Sequence, residues 1–112
     1  MRIAIPVVEG KLAMHFGHCE AFAILETDQQ GKEVASKSMH DAPPHEPGLL
    51  PRWLHELGAD VIIAGGMGQR AQQLFAQNDI QVIVGAPNEA PENLVNAYLE
   101  NNLVSGTNLC DH

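Results

Sequence analysis

The sequence predicts an α/β domain with a five-stranded mixed sheet and helices on both faces. Three segments rich in apolar and β-branched residues come first and are typical of strands joined as a meander. After them, segments with helical spacing of apolar residues alternate with short buried strands, in the order helix, strand, helix, strand, helix. Because 112 residues is the length of one domain, we expect a single domain over residues 1–112 with one core.

The first half of the chain contains the three predicted strands of the meander. Residues 2–8 ("RIAIPVV") indicate a strand buried on both faces, in which Pro6 limits the ladder on one side. Ala21–Thr27 predict the second strand, and the glycine-containing segment Asp28–Lys32 predicts a hairpin turn. The third strand, over Glu33–Met39, alternates less regularly, which is typical of an edge strand.

A loop and a helix follow the meander. His40–Gly48 contains three prolines and ends in a glycine, which predicts a loop. From Leu49 onward, apolar residues recur at helical spacing, with Pro51 tolerated in the first turn. Gly58 is a natural left-handed stop for this helix.

The remaining chain alternates between strands and helices. The predicted elements are a strand over Asp60–Ala64, a helix over Gln69–Gln77, a strand over Gln81–Val84, and a helix that begins at Asn88 or Glu89 and continues through Leu99. Crossovers between parallel strands are right-handed, so we expect the strands at residues 60 and 81 to run parallel to the first. Only the second strand is then antiparallel.

Composition excludes several classes of partner. Fourteen acidic and six scattered basic residues give a net charge of −8, which disfavours nucleic acid and anionic membranes. The N-terminus lacks the features of a signal peptide, and no apolar run reaches the roughly 20 residues of a transmembrane helix. We therefore expect a cytoplasmic protein without a membrane partner, whose two cysteines stay reduced.

The segment "MHFGHC" concentrates metal-ligating side chains directly after the first strand. His15, His18 and Cys19 supply imidazoles and a thiol, and Met14 adds a soft thioether suited to copper(I). Because these residues directly follow the first strand, we expect them to lie at the carboxyl edge of the sheet, where open α/β sheets bind ligands. The spacing His-x-x-His-Cys matches no standard zinc framework, so the alternative of a buried Cys19 with surface histidines stays open.

The C-terminal "CDH" supplies a second set of candidate ligands, Cys110 and His112. A four-iron cluster held by thiolates needs four cysteines, whereas one chain has two. Either histidine substitutes for cysteine, or a homodimer shares its cysteines, or a preformed cluster is held mainly by hydrogen bonds. The sequence leaves these alternatives open.

The segment "GGMG" follows a predicted strand and opens a predicted helix. With Ala71 it satisfies Gly-x-Gly-x-x-Ala, but Glu89 lies too far past the next strand for a dinucleotide site. One interpretation is that the glycines only allow a tight turn. The other is an anion site at the helix N-terminus, supported by Arg70. A catalytic thiol at Cys19, beside His15 or His18, is a further alternative.

Taken in order, these segments resemble the dinitrogenase iron–molybdenum cofactor biosynthesis family. The similar stretches cover nearly the whole chain and are "IAIPV", "HFGHCEAFAI", "PPHEPGLLPRWLHELGADVIIAGGMGQRAQQLF" and the ending "NLCDH". The resemblance implies a ribonuclease H-like three-layer sandwich with the second strand antiparallel. It does not imply nuclease chemistry, because residues 3–8 contain none of the carboxylates that such a site needs.

The resemblance also implies roles for particular residues. Members of the family bind or carry cofactor precursors, and free-standing members are associated with metal–sulfur clusters. The matching motifs imply a cluster-facing loop, a lid, backbone donors and a ligating tail. The residues concerned are His15, His18 and Cys19 for the loop, His45 for the lid, Gly65, Gly66 and Gly68 for the donors, and Cys110 and His112 for the tail.

Our hypothesis from the sequence is a nitrogenase-accessory-like protein that binds, carries or stores an iron–sulfur or heterometal (Mo, Cu) sulfide cluster, without enzymatic turnover. The expected metal ligands are Cys19 and Cys110, followed by His15, His18 and His112, and the expected cofactor contacts are Met14, His45, Gly65, Gly66, Gly68 and Arg70. The expected partners are a cofactor-assembly or redox protein and a second copy of the chain. The alternatives are a small-anion or nucleotide sensor at Gly65–Gly68 and a thiol- or metal-dependent enzyme at Cys19.

Overall fold

A computed structural model describes residues 1–14, 19–43, 48–100 and 103 of the chain. Within these residues it contains six strands and three helices. They are β1 (Arg2–Val8), β2 (Lys11–Leu12), β3 (Ala21–Thr27), β4 (Val34–Asp41), α1 (Leu49–Glu56), β5 (Val61–Ile63), α2 (Gln69–Gln77), β6 (Gln81–Ile83) and α3 (Pro91–Leu99). None of the described helices is long and apolar enough to cross a bilayer.

The strands form one mixed sheet in the order β4-β3-β1-β5-β6. β3 pairs antiparallel with both β1 and β4, whereas β5 runs parallel to β1 and β6 parallel to β5. The predicted mixed sheet, the parallel late strands and the edge position of the third meander strand are therefore confirmed. The finer assignment to a ribonuclease H-like sandwich stays a prediction.

We predicted five strands, of which one is antiparallel to the first. This prediction was wrong, because the structure contains a sixth, short strand, β2, that is also antiparallel to β1. β2 pairs antiparallel with β1, and Val8 lies opposite Lys11. Between them, Glu9 has φ 53° and Gly10 has φ 82°. Positive φ at both central residues is the geometry of a two-residue hairpin whose twist matches the flanking strands. The sequence signal was weak because Glu9 is not a residue that favours positive φ.

The predicted loop over His40–Gly48 began too early. His40 and Asp41 belong to β4, where they pair with Phe22 and Ala21 of β3. The His40 ring also lies edge-on to the Trp53 ring, with 6.2 Å between centroids. Pairing with a neighbouring strand therefore extends β4 up to the proline-rich segment, which local composition alone could not indicate.

Helix boundaries follow the expected stop and start signals. Gly58 has φ 84°, and its N–H donates to the carbonyl of His55, so it ends α1 in the left-handed conformation as predicted. α3 begins at Pro91 rather than at Asn88 or Glu89, because proline at the first helical position is preorganised for helix and lacks only an N–H that would be unpaired there. The two earlier residues instead bond to Leu12.

Two apolar layers lie on opposite faces of the sheet, as the strand alternation requires. On one face, Phe22 and Ile62 pack with residues of α1 and α2, including Leu54 and Phe75. On the other face, the buried sheet residues pack with Leu94 and Val95 of α3; they are Ile3, Ile5, Val7, Ala23, Leu25, Val61 and Ile63. The predicted helices on both faces are confirmed.

Candidate functional site

The candidate site lies at the edge of the sheet where β1, β4, β5 and β6 end. β3 runs in the opposite direction, so its beginning lies at the same edge. This arrangement brings the segment after β2, the residues before β3, the residues after β4 and the glycine turn after β5 to one edge, as in other open α/β sheets that bind ligands there. The residues concerned are Met14, Cys19, Ala42 and Gly65–Gly68.

Met14 lies against the glycine turn. The N–H of Ala13 donates to the carbonyl of Pro6 at 2.9 Å, which fixes the chain as it leaves β2. A Cβ on Gly65 would lie 2.9 Å from the Met14 carbonyl oxygen and 3.1 Å from the Met14 Cα. Since both atoms are backbone, only glycine fits at position 65. The Met14 side chain remains 40% exposed, so its thioether is accessible.

The glycine turn is anchored at both ends. The N–H of Gly85 donates to the carbonyl of Gly65 at 2.7 Å, which ties the turn to the segment after β6. Met67 is buried in the core, and its carbonyl accepts a hydrogen bond from Nε2 of Gln72 at 2.9 Å. The turn therefore holds the start of α2 in a fixed place at the edge of the sheet.

The first turn of α2 carries the polarity expected of an anion site. Gly68 is the N-cap residue, with φ −65° and ψ 155°, and no side chain caps the helix. The first N–H groups of an α-helix have no partner within the helix, and they carry a partial positive charge. Arg70 is exposed in the same turn and adds a full positive charge. Among the described residues, the space around Gly68 is open, since none of their atoms lies within 4 Å of a Cβ built there.

Cys19 is half-buried beside the core layer that α1 and α2 cover. The next residue, Glu20, is held between two strands, because its N–H donates to the Val7 carbonyl and its carbonyl accepts from the N–H of Ala42. Burial raises the pKa of the Cys19 thiol to about 11, and a backbone hydrogen bond opposes this only in part. The protein without metal therefore holds Cys19 as a neutral thiol at neutral pH.

Five of the predicted site residues lie outside the described residues: His15, His18, His45, Cys110 and His112. Within the described ranges, no group of three or more His, Cys, Asp or Glu side chains is arranged to hold a metal ion. Of the predicted metal ligands, Cys19 is the one that the structure describes. It lies at the same edge as Met14, the glycine turn and Arg70.

Sequence reasoning missed a cleft beside Met14. It has a volume of about 510 Å³ and is lined by Val8, Glu9, Lys11, Leu12, Ala13, Met14 and Asn88. Asn88 closes one side, because its Nδ2 donates to the Leu12 carbonyl at 2.6 Å. Glu9 of the β1–β2 turn also lines the cleft, and this turn was the one signal that could have indicated it.

Comparison with known proteins supports the fold and gives the family. The chain matches the family described as "Dinitrogenase iron-molybdenum cofactor" over residues 1–101. An uncharacterized protein of Methanocaldococcus jannaschii is 32% identical over 89 residues, which cover 73% of this chain and 72% of that protein.

Two solved structures are similar over almost the full chain. The crystal structure of the protein PH0822 has a TM-score of 0.85 at 26% sequence identity, and the match covers 94% of both chains. The apo form of the orange protein from Desulfovibrio gigas has a TM-score of 0.72 at 20% identity, covering 96% of this chain and 93% of that one.

The chain is a small α/β protein, and the family that its sequence matches is of the accessory or cofactor-binding type. The chain belongs to the dinitrogenase iron–molybdenum cofactor family. The resemblance inferred from the sequence is therefore confirmed.

Proposed function

We propose that this protein binds, carries or stores a metal–sulfur cluster at the carboxyl edge of its sheet and serves in metallocofactor assembly. Membership of a cofactor family supports a role in binding or assembling a cofactor. The observation that carries the proposal is the position of Cys19 at the same edge as the glycine turn and the start of α2.

The proposed ligands come from two segments of the sequence, residues 15–19 and residues 110–112. Cys19 and Cys110 are the thiolate ligands, and His15, His18 and His112 complete the coordination. Around them, Met14 and His45 contact the cluster, and the turn formed by Gly65, Gly66 and Gly68 donates backbone N–H groups, with Arg70 beside it. The proposed cargo is an iron–sulfur cluster or a heterometal (Mo, Cu) sulfide cluster.

Electrostatics favours an anionic cargo at this place in an otherwise acidic protein. The chain carries a net charge of −8, so an anion is repelled by most of its surface. The start of α2 and the exposed Arg70 supply local positive charge. Sulfides of a metal–sulfur cluster accept hydrogen bonds, and such bonds are a principal way in which proteins tune clusters.

The state of Cys19 favours cluster binding over catalysis by a free thiol. A cysteine nucleophile acts as the thiolate, whereas burial raises the pKa of Cys19 to about 11. A soft metal replaces the thiol proton directly and compensates the cost of a buried negative charge. Binding through Cys19 therefore releases a proton and becomes stronger as the pH rises.

Anaerobic reconstitution tests the proposal. The protein is incubated with sulfide and, in separate samples, with iron, with molybdate and a copper(I) salt, or with all three metals. In at least one sample it should acquire visible colour and stoichiometric metal. The Cys19→Ser, Cys110→Ser double variant should remain colourless. His15→Ala and His18→Ala should lower the amount of bound metal, because both residues are proposed ligands. His55→Ala is their control, because His55 is exposed on α1. Wild-type protein that stays colourless and metal-free under every condition would exclude the proposal.

The sensor alternative predicts a different result. A nucleotide would raise the melting temperature of the double cysteine variant, because binding at Gly65–Gly68 does not require either thiol.

A cofactor-assembly or redox protein is the proposed partner for delivery. A pull-down that compares reconstituted protein with metal-free protein would identify a partner protein that binds only the loaded form.

A further inference from the structure

We propose that the outer edge of β4 is a self-association surface, on which a second copy of this chain adds its own β4 antiparallel about a twofold axis at Met39. β4 lies at one end of the sheet order, and no described residue pairs with its outer side. It is eight residues long and mostly exposed, and Met39 is 52% exposed. Unpaired strand edges of this length template further strand pairing.

The ladder on the inner side of β4 identifies the groups that point outward. Ala42 donates its N–H to the Glu20 carbonyl at 3.1 Å, and Thr27 donates to the Met1 carbonyl at 2.9 Å. Even-numbered residues of β3 therefore bond to β4, and odd-numbered ones to β1. Because bonding alternates along an antiparallel pair, the outward N–H and C=O groups belong to Lys37, Met39 and Asp41, which lie on the regular side of the register shift at Glu26/Thr27.

The lysine of this edge strand forms an ion pair within its own chain. Lysine side chains on edge strands usually discourage pairing with another strand. In β4, Nζ of Lys37 forms an ion pair with Glu92 of α3 in the same chain. The charge of Lys37 is therefore partly compensated, and its neighbour Met39 presents an exposed apolar side chain on the same face.

Charge selects the register of the pair. Outward residues must oppose outward residues, so the twofold axis can lie at any residue from Ser36 to His40. An axis at Lys37 places like charges opposite each other, and an axis at Ser36, Ser38 or His40 leaves Lys37 without a charged partner. An axis at Met39 places Lys37 opposite the partner's Asp41 twice over and stacks the two Met39 side chains. This register uses the outward groups of residues 37–41 in about six backbone hydrogen bonds.

The resulting dimer keeps the two candidate sites apart. Antiparallel pairing of β4 directs the carboxyl edges of the two protomers in opposite directions. Cys19 lies beside the carboxyl end of β4, through Glu20 and Ala42. A cluster shared between two Cys19 residues is therefore incompatible with this dimer. The short contact predicts weak association of the transient class.

Sedimentation equilibrium of the full, metal-free chain tests the association from about 10 µM to about 1 mM, the range of weak binding. A monomer–dimer equilibrium is expected. Lys37→Glu or Asp41→Lys alone should weaken association about tenfold or more, and the double variant should restore it to within about threefold. Arg52→Glu is the control, because it makes the same change of net charge as Lys37→Glu at an exposed position on α1, away from the β4 edge.

Amide hydrogen exchange adds a residue-level readout. The amides of Lys37 and Met39 should gain protection as the protein concentration rises, whereas the inward amide of Ser38 should stay protected throughout. A monomer at every concentration, or a charge-swapped double variant that fails to recover, overturns the proposal. Protection of Met39 that does not depend on concentration also overturns it, because a segment of the same chain would then cover the edge.

Discussion

Gly65 and the Met14 carbonyl lie so close that a Cβ on Gly65 would come within 2.9 Å of that oxygen. The contact joins the turn after β5 to the segment that leads into residues 15–18. Two regions separated by about fifty positions in the sequence therefore form one edge of the sheet. The proposed arrangement of the site depends on this contact.

Gly65→Ala should destabilise the fold by about 1–3 kcal/mol, because backbone atoms must move to admit the methyl group. Chemical denaturation monitored by circular dichroism measures the change. Gly68→Ala is the control, with open space around the added Cβ and an ordinary φ of −65°. It should cost about 0.5 kcal/mol, mainly through a poorer N-cap. Equal losses in the two variants would show that the Gly65 contact is not tight.

Cys19 should alkylate slowly in the folded protein. Its pKa of about 11 leaves a thiolate fraction at pH 7 roughly a hundredfold below that of a free cysteine. The measurement is the rate with iodoacetamide in a Cys110→Ser background, which should rise about tenfold per pH unit between pH 7 and pH 9. In denaturant the same thiol should react at the ordinary rate. Equally fast reaction of folded and unfolded protein would contradict the burial of Cys19.

Burial of Cys19 also predicts the sign of a stability change in alkali. The pKa of Cys19 is higher in the folded protein than in the unfolded chain, where it is near 8.5. The resulting stabilisation of the fold is fully present below the unfolded pKa and is lost as the pH rises through the folded pKa of about 11. The free energy of unfolding of wild type relative to Cys19→Ala should therefore decrease across that window. A difference that stays constant from pH 8 to pH 11 would argue against the shift.

Asp28 should stabilise the β3–β4 turn only while it is ionised. Its Oδ1 accepts the N–H of Lys32 at 3.0 Å, and this bond is the main cause of a lowered pKa. The stabilisation is present above the ordinary carboxyl pKa of about 3.9 and is lost as the pH falls through the lower folded value. Asp28→Ala should therefore cost stability at pH 7 and much less near pH 2. Gln29→Ala, in the same turn, should show no such pH dependence.

Arg70→Gln should weaken retention of a reconstituted cluster by about three- to tenfold, because it removes positive charge beside the start of α2. The loss should shrink at high salt, where exposed charges are screened. Competition with a metal chelator measures retention. Arg52→Gln is the control, since Arg52 is exposed on α1. Equal effects of the two substitutions would indicate a non-specific charge effect.

Much of the fold follows from local sequence signals. Buried strands such as Ala21–Thr27 and helices such as Gln69–Gln77 have the predicted bounds, because their apolar periodicity agrees with the packing that they meet. The Gly58 stop follows from the freedom of glycine at positive φ. Long-range pairing explains the misses. β2 depends on a turn with positive φ at Glu9, and β4 extends through His40 because β3 pairs with it there.

The positions of Cys19 and of the glycine turn at one edge of the sheet were predictable from the sequence, and their local contacts were less so. A ligand-rich segment after the first strand and a glycine turn after a later strand must reach the same edge of a mixed sheet, so Cys19 and Gly65–Gly68 could be placed from the sequence. The contact of Gly65 with Met14 and the burial that raises the pKa of Cys19 could not, because both depend on how segments distant in sequence pack.

Metal and acid-labile sulfide content per folded chain, measured after identical anaerobic reconstitution of wild type and Cys19→Ser, tests the central claim most directly. Circular dichroism confirms the fold of each variant, and Ser38→Ala on β4 is the control. We expect stoichiometric metal and sulfide in wild type and in the control, and a metal and sulfide content at least about tenfold lower in Cys19→Ser. Wild-type content retained in Cys19→Ser would contradict the central claim.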